Sequence, residues 1–144
     1  MKALEDEPHS DCEALAYMKK AEARGQEMQQ MEKELTPFLK KLKALFRRTG
    51  STEDVELPLP EKEMMTKVAE ASKLYKSLAA QSKHVKKAEL ADFEEKCTKA
   101  AADHKDLLRL CADEVQTLEF YIESRSGIVK VQQNHSHYMV RLVP

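Results

Sequence analysis

Tryptophan is absent from this chain, and only four Phe and four Tyr are spread through its 144 residues. A broad aromatic-lined pocket is therefore not expected. Glycine and proline are almost as scarce, at three and five, so few places can turn sharply and those few carry weight as boundaries. The cysteines are Cys12, Cys97 and Cys111, an odd number without C-x-x-C spacing. That excludes a disulfide framework or a zinc site as the organising principle and fits a reducing, intracellular compartment, cytoplasmic or nuclear. No run approaches eighteen apolar residues, and the opening MKALEDEPHSD has no apolar core. Neither a membrane span nor a signal peptide is expected.

Recognisable chemistry is missing too. The chain has no Gly-rich phosphate loop, no G-x-S-x-G, no H-E-x-x-H and no EF-hand spacing. Cys97 and His104 would lie two turns apart on one helix, roughly 10 Å, too far to share a proton. No cofactor, no metal, no small-molecule substrate and no catalytic residue is expected, and the chain reads as a non-enzyme. A formal charge of −1 also argues against a generally basic nucleic-acid binder.

What is present is charge and period. Charged residues make up 34% of the chain and mean hydropathy is −0.62, a balance suited to long solvated helices. Apolar residues recur in steps of three and four through Met18, Ala21, Gly25, Met28, Glu32, Leu35, Leu39, Leu42 and Phe46. A second such seam runs through Leu90, Phe93, Cys97, Ala100, His104, Leu107, Cys111, Glu114, Leu118 and Tyr121. This spacing keeps one stripe of a helix against a partner helix. The expected fold is all-α, an elongated helical hairpin or coiled coil, with a three-helix bundle as the alternative and a short C-terminal β-hairpin added.

Residues 1–10 read as a flexible N-terminus. Helix 1 is expected over 11–48, opened by Ser10 with Glu13 as a capping box and kinked at Pro37, whose flanking seam residues keep their phase. Residues 49–60 read as an extended linker, with Val55, Leu57 and Leu59 alternating. Pro60, Glu61 and Glu63 open the next helix, expected to run over 61–126 because no Gly or Pro intervenes before Gly127. Its seam slips by one residue between Val85 and Leu90, so a break near 83–88 is the alternative. After Gly127, residues 127–144 alternate like strands, with Tyr138, Val140 and Leu142 on one face.

Charge falls in blocks. Lys40, Lys41, Lys43, Arg47 and Arg48 cluster without an acid, and Lys83, Lys86 and Lys87 form a second basic segment. The favoured function is a structural or adaptor subunit, a scaffold that self-associates or pairs with a protein partner through coiled-coil helices. Its expected interface is Leu107, Cys111, Val115 and Leu118, and its β segment (Tyr138, Val140, Leu142) would pair with a partner's sheet edge. The alternative is a membrane-associated helical bundle whose two basic blocks contact anionic lipid phosphate. Nucleic-acid binding is the third reading.

Overall fold

A computed structural model of the chain describes the backbone of residues 2–125 and the side chains of residues 15–125. Within that span the fold is all-helical: α1 (Lys2–Thr49), α2 (Glu61–Gln81), a single 3-10 turn (Lys87–Glu89) and α3 (Leu90–Arg125). No strand occurs among the described residues. The expected β-hairpin, with Tyr138, Val140 and Leu142, lies outside them.

The elements sort into two compact units. The first holds residues up to Thr36 together with 69–106, and the second holds 37–68 with residues from 107 onward. In the first unit α1 contacts both other helices. Arg24 donates to Thr98 at 2.8 Å and Glu34 meets His104 at 2.8 Å, so α1 and α3 run parallel. Glu32 pairs with Lys76 at 3.6 Å while Gly25 abuts Ser82, so α2 runs antiparallel to α1. The unit is a three-helix bundle around Met28, Leu35, Tyr75, Leu78, Phe93, Cys97 and Ala100, each at most 3% exposed.

The second unit packs Leu42, Phe46, Met64, Val68, Cys111 and Leu118 around a core of the same kind. Pro60 opens α2, its carbonyl accepting from Met64 N–H at 2.9 Å, with Glu61 and Glu63 in the first turn where the helix dipole favours acids. The linker keeps its expected alternation: Val55, Leu57 and Leu59 are half-buried, Glu56, Pro58 and Pro60 exposed. Gly50 ends α1 at φ +72°, a left-handed position that glycine fills without a Cβ clash. Arg125 closes the same end from α3. Its guanidinium donates to the carbonyls of Thr49 (2.7 Å) and Arg48 (3.3 Å), which the helix itself leaves free.

Two expectations need correction. The segment 61–126 is two helices, not one, because Ser82–Lys86 turn without Gly, Pro or Asn. No described non-glycine residue has positive φ, so the turn asks nothing of a special residue. It closes with short-range bonds: Lys83 N–H to Ala80 O at 3.3 Å and His84 N–H to Gln81 O at 2.9 Å. Val85 is buried beneath it. Glu89 restarts the chain by accepting from Lys86 N–H at 3.0 Å. Helix α1 also begins at Lys2 rather than near Asp11. The expected continuity at Pro37 is observed, and Thr36 lies inside the helix. Its hydroxyl donates to Glu32 O at 2.9 Å, and α1 continues through the proline.

At Gly25 α1 lies close against the end of α2. A Cβ there would meet Ser82 Cβ at 2.7 Å, inside any real carbon–carbon contact. Gly25→Ala gains about 1 kcal/mol of helix propensity but forces overpacking of about 1–3 kcal/mol. The variant should therefore be less stable in urea, and Ser82→Gly in the same chain should return the loss.

Candidate interaction site

Of the three buried polar residues among those described, Thr49 donates to Leu45 O of its own helix at 2.7 Å, and the other two, with one groove, stand out from the interior. In the first unit His104 on α3 is 4% exposed and bridges the other two helices. A ring protonated at Nε2 satisfies both contacts: Tyr75 O–H donates to Nδ1 at 2.9 Å, and Nε2–H donates to Glu34 Oε1 at 2.8 Å. The rings of Tyr75 and His104 meet edge to face, 5.2 Å between centroids. Tyr75 is 2% exposed, so no substrate can approach its hydroxyl. The arrangement pins three helices together at one level of the bundle.

In the second unit Glu114 is fully buried on α3. One carboxyl oxygen accepts from Leu59 N–H at 3.2 Å, tying the linker to the helix. The other, Oε2, has no hydrogen-bond partner. Burial raises the carboxyl's pKa, opposed by the Leu59 bond. Cys111 lies one turn earlier, its thiol pushed up to about 11 by burial and, secondarily, by the Glu114 charge. Burial likewise raises Cys97. Both thiols are inert packing groups at neutral pH. No group of three or more His, Cys, Asp or Glu among the described residues could hold a metal.

The groove belongs to the first unit. It has a volume of about 640 Å³ and lies between α1, at Tyr17, Met18, Ala21 and Gly25, and the α2–α3 turn, at Lys83 and Lys86. Its position follows from helix lengths. Helices α2 and α3 meet at the turn beside Gly25, whereas α1 runs on in the N-terminal direction past that level. The seam positions Ala21, Gly25 and Met28 are covered, and Ala21 is 2% exposed. One turn earlier Met18 is 55% exposed, and so is Leu15. Lys83 and Lys86 are exposed at the groove's edge.

The residues expected to carry function fall in three places. Leu107, Cys111, Val115 and Leu118, expected at a partner interface, are buried by the chain's own helices in the second unit, at 6% exposure or less. Tyr138, Val140 and Leu142 lie outside the described residues. The two basic blocks fall in different units. Lys40, Lys41, Lys43, Arg47 and Arg48 are exposed on the last turns of α1 in the second unit, where Lys41 pairs with Glu119 at 3.4 Å. Lys83, Lys86 and Lys87 are exposed on the turn of the first. Leu15 lies three residues before Met18, so the three-and-four spacing extends to it. No helix among the described residues is long and apolar enough to cross a membrane. Comparison with protein-family models, curated proteins and solved structures finds no match to this chain.

Proposed function

We propose that this chain is a non-enzymatic helical interaction module, a structural or adaptor subunit that docks an acidic amphipathic helix on the N-terminal part of α1. One observation carries the reading: Leu15 and Met18 remain 55% exposed on a helix whose next seam residues are buried. A helix laid there would complete the bundle packing that α2 and α3 abandon at their turn. Lys83 and Lys86 flank the position and favour an acidic partner, setting its direction more than its affinity. A coiled-coil association of this kind needs only the first unit, and leaves the C-terminal segment with Tyr138, Val140 and Leu142 free to pair with a partner's sheet edge as a separate contact.

The test uses a synthetic amphipathic helix of leucine and glutamate as probe, with amide NMR shifts of the full chain as the readout. Shifts should centre on residues 15–29 and 82–87. They should vanish in Leu15→Lys/Met18→Lys, while the melting temperature stays within about 2 °C because both side chains are already solvated. Shifts centred elsewhere, or none, would overturn the docking surface. Binding of the same residues to phosphatidylserine vesicles but not to the peptide would replace it with the lipid reading.

A further inference from the structure

We infer that Ser51 is a phosphorylation site for an acid-directed protein kinase, and that a cleft in the same unit, bearing Lys43 and Arg47, receives the phosphate. As a sequence, the segment offers Ser51 to two kinds of kinase. Arg47 and Arg48 precede it by four and three residues, and Glu53, Asp54 and Glu56 follow it by two, three and five. The fold separates the two. A kinase discriminates by charges on a segment laid extended through its cleft. Arg47 and Arg48 are held in the last turn of α1, where Arg125 binds the carbonyls of Arg48 and Thr49. The acids lie beyond Gly50 on the linker, outside any helix, and all three are exposed. Only the downstream charges can be presented, and they require a basic cleft.

The hydroxyl is accessible. Ser51 is exposed, and its Oγ accepts from Glu53 N–H at 3.4 Å, which leaves the hydroxyl proton uncommitted. Ser10, with Asp11 and Glu13 after it, has helical backbone, as do Ser72, Ser77 and Ser124. Ser82 gives its proton to Ala79 O at 2.6 Å. In the transfer, Ser51 Oγ bonds to the γ-phosphorus of Mg-ATP and the bond from that phosphorus to the β–γ bridging oxygen breaks. ADP leaves, and the hydroxyl proton passes to the kinase's catalytic carboxylate. The product places a nearly dianionic group next to Gly50. Gly50 lines a cleft of about 360 Å³ together with Lys43 and Arg47, one turn apart on α1, and Glu61 is the acid among its lining residues. Lys43 and Arg47 are exposed, whereas Lys41 is held by Glu119 at 3.4 Å. The negative end of α1 opposes a phosphate here, but Arg125 already occupies its last carbonyls, and the cleft sets two cations against one acid. A seated phosphate withdraws Lys43 and Arg47 from the basic block, so modification weakens any contact that block makes with another anion.

Incubating the full chain with an acid-directed casein kinase and Mg-ATP tests both parts. Intact mass should show one added phosphoryl group, and fragmentation should place it on Ser51. Ser51→Ala should take up none, and Thr52→Ala should be modified like the native chain. Glu53→Ala/Asp54→Ala should slow the transfer roughly tenfold or more, since charge-assisted contacts to the kinase are lost, while Arg48→Ala should leave the rate unchanged. No uptake, or a phosphate on Ser10 or Thr52, would overturn the site. Faster modification of Ser51 by cyclic-AMP-dependent kinase, which is base-directed, would overturn the class of enzyme. In the phosphorylated chain, phosphorus NMR should show the phosphate titrating below its ordinary second pKa of about 6. Lys43→Ala/Arg47→Ala should move it back up, because nearby cations favour the dianion. These two side chains are solvated, so the melting temperature should hold within about 2 °C. A phosphate that titrates alike in both proteins would overturn the receiving cleft and keep the acceptor.

Discussion

Leu118→Ala should remove about 2–5 kcal/mol from the stability of the chain, and the loss should not depend on protein concentration. Leu118 is fully buried in the second unit, in the company of Leu42, Leu45 and Val115. The truncation removes the transfer energy of the deleted carbons and leaves a cavity that neighbouring helices can only partly fill. The concentration clause separates two uses of the same stripe. If Leu118 packs within one chain, urea midpoints are identical at 2 and 200 µM. If it packs between chains, the midpoint falls with dilution as mass action requires. A concentration-dependent loss would place the seam of α3 at a subunit interface and reopen the association of Leu107, Cys111, Val115 and Leu118 with a partner. By contrast, Leu15→Lys/Met18→Lys should shift association and leave folding alone, so the two variants divide the seam into its internal and external parts.

Much of the helical framework is legible in the sequence because its signals are local. The three-and-four spacing marks Ala21, Met28, Leu35, Leu42 and Phe46 as one face, and all are buried. Pro60 ahead of two glutamates marks the start of α2, and the alternation of Val55, Leu57 and Leu59 marks a chain lying half-submerged. What period cannot specify is whose helix covers the stripe. An α-helix presents the same face to a partner within its chain as to one outside it, so Leu107–Leu118 read as an interface when α1 and α2 already cover them.

The turn at Ser82–Lys86 was legible only as the alternative break near 83–88, for a different reason. Its residues stay in ordinary backbone regions, and the element that restarts the helix is Glu89, whose carboxylate accepts from Lys86 N–H three residues upstream without any Ser or Thr cap to signal it. The one-residue slip of the seam at that place was its only trace. The buried polar contacts were half legible. His104 and Glu114 stand out as polar seam members, but their partners Tyr75, Glu34 and Leu59 come from other elements, 29 to 70 residues away in sequence. Met18 shows the converse. It keeps the period, yet it is exposed because α2 and α3 stop short of it.

Glu114 should make the stability of this chain fall as pH rises. Its carboxyl is buried, holds Leu59 N–H with one oxygen and finds nothing for the other. Desolvation therefore lifts its pKa above the ordinary 4.5, more than the Leu59 bond lowers it. Because the folded-state value is the higher one, the folded chain holds this proton after the unfolded chain has released it. The contribution is complete below pH 4.5 and is lost as pH rises towards the folded-state value, with a slope of at most about 1.4 kcal/mol per pH unit. Above that value the carboxylate is ionised inside the fold, and Oε2 carries charge with no donor to meet it. Glu114→Gln keeps an oxygen for Leu59 N–H and removes the titration. Urea unfolding of both proteins between pH 4 and 9 should show the native chain losing stability relative to the variant as pH rises. Other titrating groups cancel in the difference, so the slope belongs to Glu114. A difference independent of pH would mean that the carboxyl stays hydrated in the folded chain and that the clip to Leu59 opens in solution. A difference of the opposite sign would mean that a donor reaches Oε2 and holds the charge, turning a costly buried acid into a stabilising one.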